Sequence, residues 1–125
     1  MKHNPIGWFE IFVADMARAK KFYETVFQVA LAKIPADDRV MWGFPAELTR
    51  YGAGGALVAQ QGLMPGDGGT MVYFSCADCG VEAGRAGKAG GKVLLAKKDI
   101  GQYGSVAIVK DSEGNTIGLH TPPKM

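Results

Sequence analysis

The chain has 125 residues, 47 % of them hydrophobic and 21 % charged, with a net charge of +2. That length suits one domain of the commonest size, with enough apolar residues for a real core. The charges are spread without a basic run, which argues against a nucleic-acid partner. No apolar stretch approaches the roughly 18 residues that span a bilayer, and the N-terminus lacks the cationic and apolar regions of a signal peptide. The expectation is a soluble, cytoplasmic protein with no membrane partner. Its two cysteines, Cys76 and Cys79, then read as free thiols in a reducing compartment.

In chain order, Ile6 to Val13 is aromatic and β-branched and reads as a strand. Only Glu10 breaks its apolar character, which predicts burial on both sides. Asp15 suits an N-cap. After it Met16, Ala19, Phe22, Tyr23, Val26 and Phe27 recur at helical spacing, predicting an amphipathic helix over residues 15 to 28. Shorter strands are expected around Ala30 to Ile34, Val40 to Phe44 and Ala56 to Gln60, with Pro- or Gly-bearing turns between them. The run Gly62 to Gly69 interrupts the pattern and reads as a linker.

The same order then recurs. Thr70 to Cys76 reads as a strand, and Asp78 as the cap of a helix ending at Gly90-Gly91. This second helix is built of small residues, and Gly84 and Gly87 weaken it by about 1 kcal/mol each relative to Ala. Its small surface predicts a close approach to a sheet. Strands follow around Lys92 to Ala96, Ser105 to Val109 and Thr116 to Thr121, with Asp111 to Asn115 as a polar turn. Ala14-Asp15 and Ala77-Asp78 stand 63 residues apart, and Trp8 to Val13 aligns with Met71 to Cys76 in the same register. A unit of about 60 residues is too long for a solenoid repeat. It reads as two βαβββ modules, residues 1–61 and 70–125, within a single domain spanning 1–125, with linker 62–69. Function is expected in the concavity between them.

Several segments carry a family resemblance: Trp8-Phe9-Glu10-Ile11, the helix around Ala19 to Tyr23, Gly90-Gly91-Lys92-Val93, Asp99 to Gly104, and Asp111 to His120. Together they resemble the vicinal oxygen chelate superfamily of glyoxalase I, bleomycin resistance proteins and extradiol dioxygenases, in particular its small bacterial glyoxalase-like branch. The resemblance implies an α+β fold, with paired modules forming a cupped, eight-stranded mixed sheet, and a homodimer. It also implies a lyase or isomerase activity, or else sequestration of a small molecule.

In metal-dependent members of that superfamily, four His, Gln or Glu ligands come from the first and last strands of each module. The matching positions here are Trp8, Met71, Gly118 and the neighbourhood of Gly55. None offers a donor suited to a hard or borderline ion, so neither a metal nor another cofactor is expected. Strand parity then places Trp8, Glu10 and Phe12 on one wall of the cup, Met71, Tyr73 and Ser75 on a second, and Gly118 and His120 on a third. Glu10, His120 and Tyr73 are the candidate catalytic groups. Trp8, Phe12, Met71, Ser75 and Gly118 are the candidate ligand contacts, with Gly118 leaving room where a ligand side chain would stand.

Each has a plainer reading. Glu10 on an apolar strand must find a partner, such as an Arg, or stay protonated; Tyr73 reads equally as a packed aromatic, and His120 as a partly exposed group near the C-terminus. Cys76-Ala77-Asp78-Cys79 has redox-motif spacing, but Cys76 falls on the helix-facing parity and reads as buried. Gly52 to Gly55 lacks the Lys-Ser/Thr pair of a phosphate loop. Lys97-Lys98-Asp99 reads as a solvated turn whose lysines could steer an anion. Two functions remain open: a metal-independent enzyme using Glu10 or His120 to move a proton, or a protein that sequesters an aromatic or cationic small molecule without chemistry.

Overall fold

A computed structural model of the chain describes residues 4–6, 8–47, 49–68 and 70–123. Its elements are β1 (Trp8–Phe12), α1 (Met16–Phe27), β2 (Ala32–Ile34), β3 (Val40–Gly43), β4 (Gly54–Ala59), β5 (Tyr73–Ser75), α2 (Cys79–Lys88), β6 (Lys92–Asp99), β7 (Ser105–Lys110) and β8 (Thr116–Thr121). A single 3-10 turn, Gly101–Tyr103, joins β6 to β7. The strands form two mixed sheets of four, ordered β1-β4-β3-β2 and β5-β8-β7-β6. In each, the first strand lies parallel to the last and the other pairs are antiparallel. Two βαβββ modules are therefore present, with their eight strands divided between two sheets.

Both helices begin where an Asp can cap them. Asp15 is extended (φ −127°, ψ 104°), and its Oδ1 accepts from the Arg18 amide at 3.0 Å. Asp78 has the same conformation and accepts from the Gly80 amide at 3.0 Å. Ala19, Phe22, Tyr23 and Val26 form the buried stripe of α1, and Cys79, Ala83 and Ala86 that of α2. Gly84 and Gly87 are not what brings α2 to the sheet. A Cβ added at Gly84 or Gly87 meets nothing within 4 Å, so both face open space. The close approach comes just after the helix, where a Cβ on Gly91 would overlap the Lys110 carbonyl oxygen.

One core serves both modules. It runs from Ile11, Val13 and Leu57 through both helices to Ala107, Val109, Ile117 and Leu119. Aromatic contacts cross the module boundary: Phe9 meets Phe74 edge-on at 5.8 Å between centroids, and Phe27 stacks on Phe74 at 4.5 Å. Polar contacts cross it as well. Asn115 Nδ2 donates to the Phe12 carbonyl at 2.9 Å, and Arg85 Nη1 to the Val26 carbonyl at 3.1 Å. The expectation that β1 is buried on both sides fails: Ile11 is buried, but Trp8 on the opposite face is 49 % exposed. The strand alternates between a core face and an open face, and aromatic residues occupy both.

Candidate functional site

Residues paired across neighbouring strands share a face, so the sheet registers define the surface turned away from the helices. In the first module Trp8 pairs with Gly54, Glu10 with Ala56, and Phe12 with Val58. Met41 and Ile34 continue the Phe12 row. Met41, Ala56 and Val58 form a small satellite core there, with Phe12 and Ile34 packed against it. In the second module Tyr73 pairs with Gly118 and Ser75 with His120, and these rows continue to Ile108 and Val106.

Two aromatic rings on this surface rest on glycines. A Cβ on Gly54 would stand 3.3 Å from Cζ3 of Trp8, and a Cβ on Gly118 would overlap the Tyr73 ring. Gly118 therefore leaves no vacant space, contrary to the sequence expectation; the Tyr73 ring fills it. Both rings stay half open, Trp8 at 49 % and Tyr73 at 50 % exposure.

Glu10 has an arginine partner. Arg39 Nη1 lies 3.3 Å from its Oε1, and the Trp8 indole N–H donates to Oε2 at 3.3 Å. The sequence required a partner for this acid but did not identify Arg39, which sits in the turn before β3. His120 places Nε2 2.7 Å from the Tyr103 carbonyl oxygen. The Tyr73 hydroxyl makes no hydrogen bond among the described residues. Met71 lies just before β5 and is exposed, as is Ser75.

Glu10 and Phe12 line one cavity of about 320 Å³, together with Met64, Asp67, Thr70 and Thr116. Tyr73 and His120 do not line it. A larger cavity, of about 800 Å³, lies at the end of the first sheet, among Ile34, Arg39, Val40, Leu63 and Met64. Met64 borders both, and no sequence signal marks it. Asp67 fixes the linker to the second module, where Lys110 Nζ lies 3.0 Å from its Oδ1 and the Thr116 hydroxyl donates to it.

The positions marked for metal ligands do not fit a divalent ion. Trp8 offers an indole, Met71 a thioether and Gly118 no side chain. Gly55 requires a correction: it pairs with Phe9 on the core face, and a Cβ there would overlap the Phe9 ring. The counterpart of Gly118 is Ala56, because it pairs with Glu10 as Gly118 pairs with Tyr73. Alanine supplies no donor either, so the chemistry of these side chains does not match the N and O donors such ions require.

The remaining motifs have structural places. Cys76 and Cys79 are buried free thiols. Burial, with Glu82 and Cys79 nearby, pushes the Cys76 thiol up to about 12, which removes the thiolate that reactivity needs. Lys97 Nζ lies 2.9 Å from Asp78 Oδ1, holding the Asp78 carboxyl below its usual range. Among the described residues no helix is long and apolar enough to cross a membrane.

Residues 5–119 match the family model of the Glyoxalase/Bleomycin resistance protein/Dioxygenase superfamily. The chain belongs to that superfamily. Among solved structures, TnmS3, an antibiotic binding protein from Streptomyces sp. CB03234, is 25 % identical with a TM-score of 0.69, matching 98 % of this chain and 99 % of its own. A superfamily enzyme from Burkholderia phytofirmans PsJN is 16 % identical, with a TM-score of 0.68 over 94 % and 98 % of the two chains. A glyoxalase I mutant from Zea mays is 20 % identical with a TM-score of 0.69, covering 94 % of this chain. The chain spans about half, 46 %, of that maize enzyme's length. The maize and Burkholderia likenesses show the superfamily fold. No curated protein matches the chain.

Proposed function

We propose that this superfamily member binds a small organic molecule with a planar aromatic body in its cup, without a metal and without catalysing its conversion. The observation that carries this reading is the pair of half-exposed rings, Trp8 and Tyr73, each seated on a glycine of the last strand of its module. Covering the open half of such a ring is worth roughly 2 kcal/mol, and stacking geometry adds to it. Glu10 supports binding over catalysis. Arg39 occupies one carboxylate oxygen and the Trp8 indole the other, so the acid positions an aromatic ring instead of standing free as a base. The likeness to an antibiotic binding protein over nearly the full length of both chains points the same way.

We further infer a cytoplasmic homodimer. β1 and β5 each end a hydrogen-bonded sheet, and uncovered sheet edges invite pairing with another chain. Sedimentation showing only monomer at micromolar concentration would reject the dimer alone.

The test is calorimetric titration with 2-naphthol as a neutral planar probe. Trp8→Ala and Tyr73→Ala are each expected to weaken binding about tenfold. Trp42→Phe, on the opposite face of the first sheet, is expected to leave it unchanged. Full affinity in both alanine variants would reject the reading. Glu10→Gln separates the enzymatic alternative: a metal-independent lyase or isomerase loses turnover while keeping its ligand, whereas a binding protein shows no turnover in either form.

A further inference from the structure

We infer that the ligand of the cup is an organic anion, a planar aromatic body carrying a carboxylate or a comparable negative group, with Lys98 as the residue that selects its charge. This rests on the aromatic reading above and extends it to charge. On the first wall Glu10 is paired with Arg39, and the acids Asp37 and Asp38 sit apart from it, in the turn before β3 at the end of that sheet. Asp67, the acid that the linker brings to the same surface, is paired with Lys110.

The second wall is not balanced. Ser75 pairs with His120, His120 with Val106, and Val106 with Lys98, so all four share one face. Lys98 thus stands two strands from His120, about 10 Å between backbones. The neighbouring residue confirms the direction: Lys97 reaches Asp78 at the start of α2, on the helix-bearing face, which leaves Lys98 for the cup face. Among the described residues the Lys98 ammonium has neither an ion pair nor a hydrogen bond. The Ser75 hydroxyl adds a neutral donor in the same row, and the Tyr73 hydroxyl, which makes no hydrogen bond among the described residues, adds another in the next. The open groups of this wall are donors and a cation, while Glu10 and Asp67 already have cations of their own. On this wall a cationic ligand would meet Lys98 with no carboxylate in the same rows to compensate.

The experiment compares three probes of one ring system at neutral pH: 2-naphthoate, 2-naphthol and naphthalen-2-ylmethylammonium, titrated by calorimetry. The anion is expected to bind at least about threefold more tightly than the neutral probe, and the ammonium more weakly than both, in keeping with one partly exposed charge. Raising salt to about 0.5 M is expected to remove most of the advantage of the anion. Lys98→Met is expected to bring 2-naphthoate down to the level of 2-naphthol without changing 2-naphthol itself. Tightest binding of the ammonium, or an advantage of the anion that survives Lys98→Met, would overturn the inference. Equal binding of all three probes would overturn it while leaving the aromatic platforms standing. Failure of every probe to bind would overturn the platform reading and this one with it.

Discussion

The hydroxyl of Tyr23 donates to Asp111 Oδ2 at 2.7 Å, joining the helix of the first module to the hairpin of the second across 88 residues of sequence. Both residues are buried. Asp111 spends its other contacts on the hairpin, accepting from the Glu113 and Asn115 amides at 2.8 Å and from Asn115 Nδ2 at 2.9 Å. Burial first, and then the adjacent Asp111 carboxylate, push the Tyr23 hydroxyl well above the usual phenolic range, so it stays a donor at any working pH. Tyr23→Phe removes that donor and leaves a buried carboxylate oxygen one partner short. The expected cost is about 1–3 kcal/mol, read as a lower urea midpoint with an unchanged slope.

Glu113 makes a second tie from the same hairpin. Its carboxylate accepts from Arg18 Nε at 2.6 Å and Nη2 at 2.9 Å, and from the Ala14 and Asp15 amides at 3.0 and 2.9 Å. Burial acts to raise its pKa, but the hydrogen bonds from Arg18, Asp15, Ser112 and Ala14 outweigh it and hold the group at about 2. A depressed carboxylate stabilises the fold fully above its unfolded pKa, near 4.5, and loses that contribution as pH falls through its folded value. The loss is therefore expected between about pH 5 and pH 2. Its size is on the order of 2 kcal/mol, discounted because Arg18 is half exposed. Glu113→Gln should be less stable than the wild type at pH 7 and converge with it near pH 2. Parallel stability curves for the two proteins across that window would contradict this account.

The second helix offers a gain. Gly84 and Gly87 lie inside α2, and an added Cβ meets nothing there. Alanine at either position raises helix propensity without a clash, so each substitution is expected to add about 0.5–1 kcal/mol. In a chain of this size that corresponds to a rise in Tm of roughly 2–5 °C per site. Gly91→Ala is the contrasting control, since its Cβ would overlap the Lys110 carbonyl oxygen, and it should destabilise.

What the sequence disclosed and what it withheld follow from the range of the interactions. The start of α1 was legible because a capping Asp and a stripe of apolar residues are local signals, and the 63-residue echo carried that reading to α2 and to the paired modules. The sequence pattern ends β6 near Ala96, whereas the strand runs to Asp99, with irregularities after Val93 and Leu95. Such shifts in an edge strand leave no periodic trace. The Glu10–Arg39 pair spans 29 residues, and the seat of Tyr73 on Gly118 spans 45, so each depends on registers that only the folded sheets supply. Parity placed Glu10, Tyr73 and His120 on the open surface but could not tell which of them would meet. The fold gives Glu10 to Trp8 and Arg39, and His120 to the Tyr103 carbonyl.

Gly118 gives the sharpest test of the surface itself. Tyr73 lies across it, and any Cβ there would overlap the ring, so Gly118→Ala must turn Tyr73 off its seat. Gly118 keeps a conventional backbone, since it is absent from the glycines with positive φ, so alanine imposes no conformational strain of its own. Tyr73 is half exposed and has room to swing outward. The variant should therefore fold with only a modest loss of stability, of about 1 kcal/mol, while its affinity for 2-naphthol falls about as far as that of Tyr73→Ala. The double variant Gly118→Ala/Tyr73→Ala should bind no worse than either single one, because both changes remove the same platform. Additive losses would mean that Gly118 serves the ligand by a route other than the seating of Tyr73.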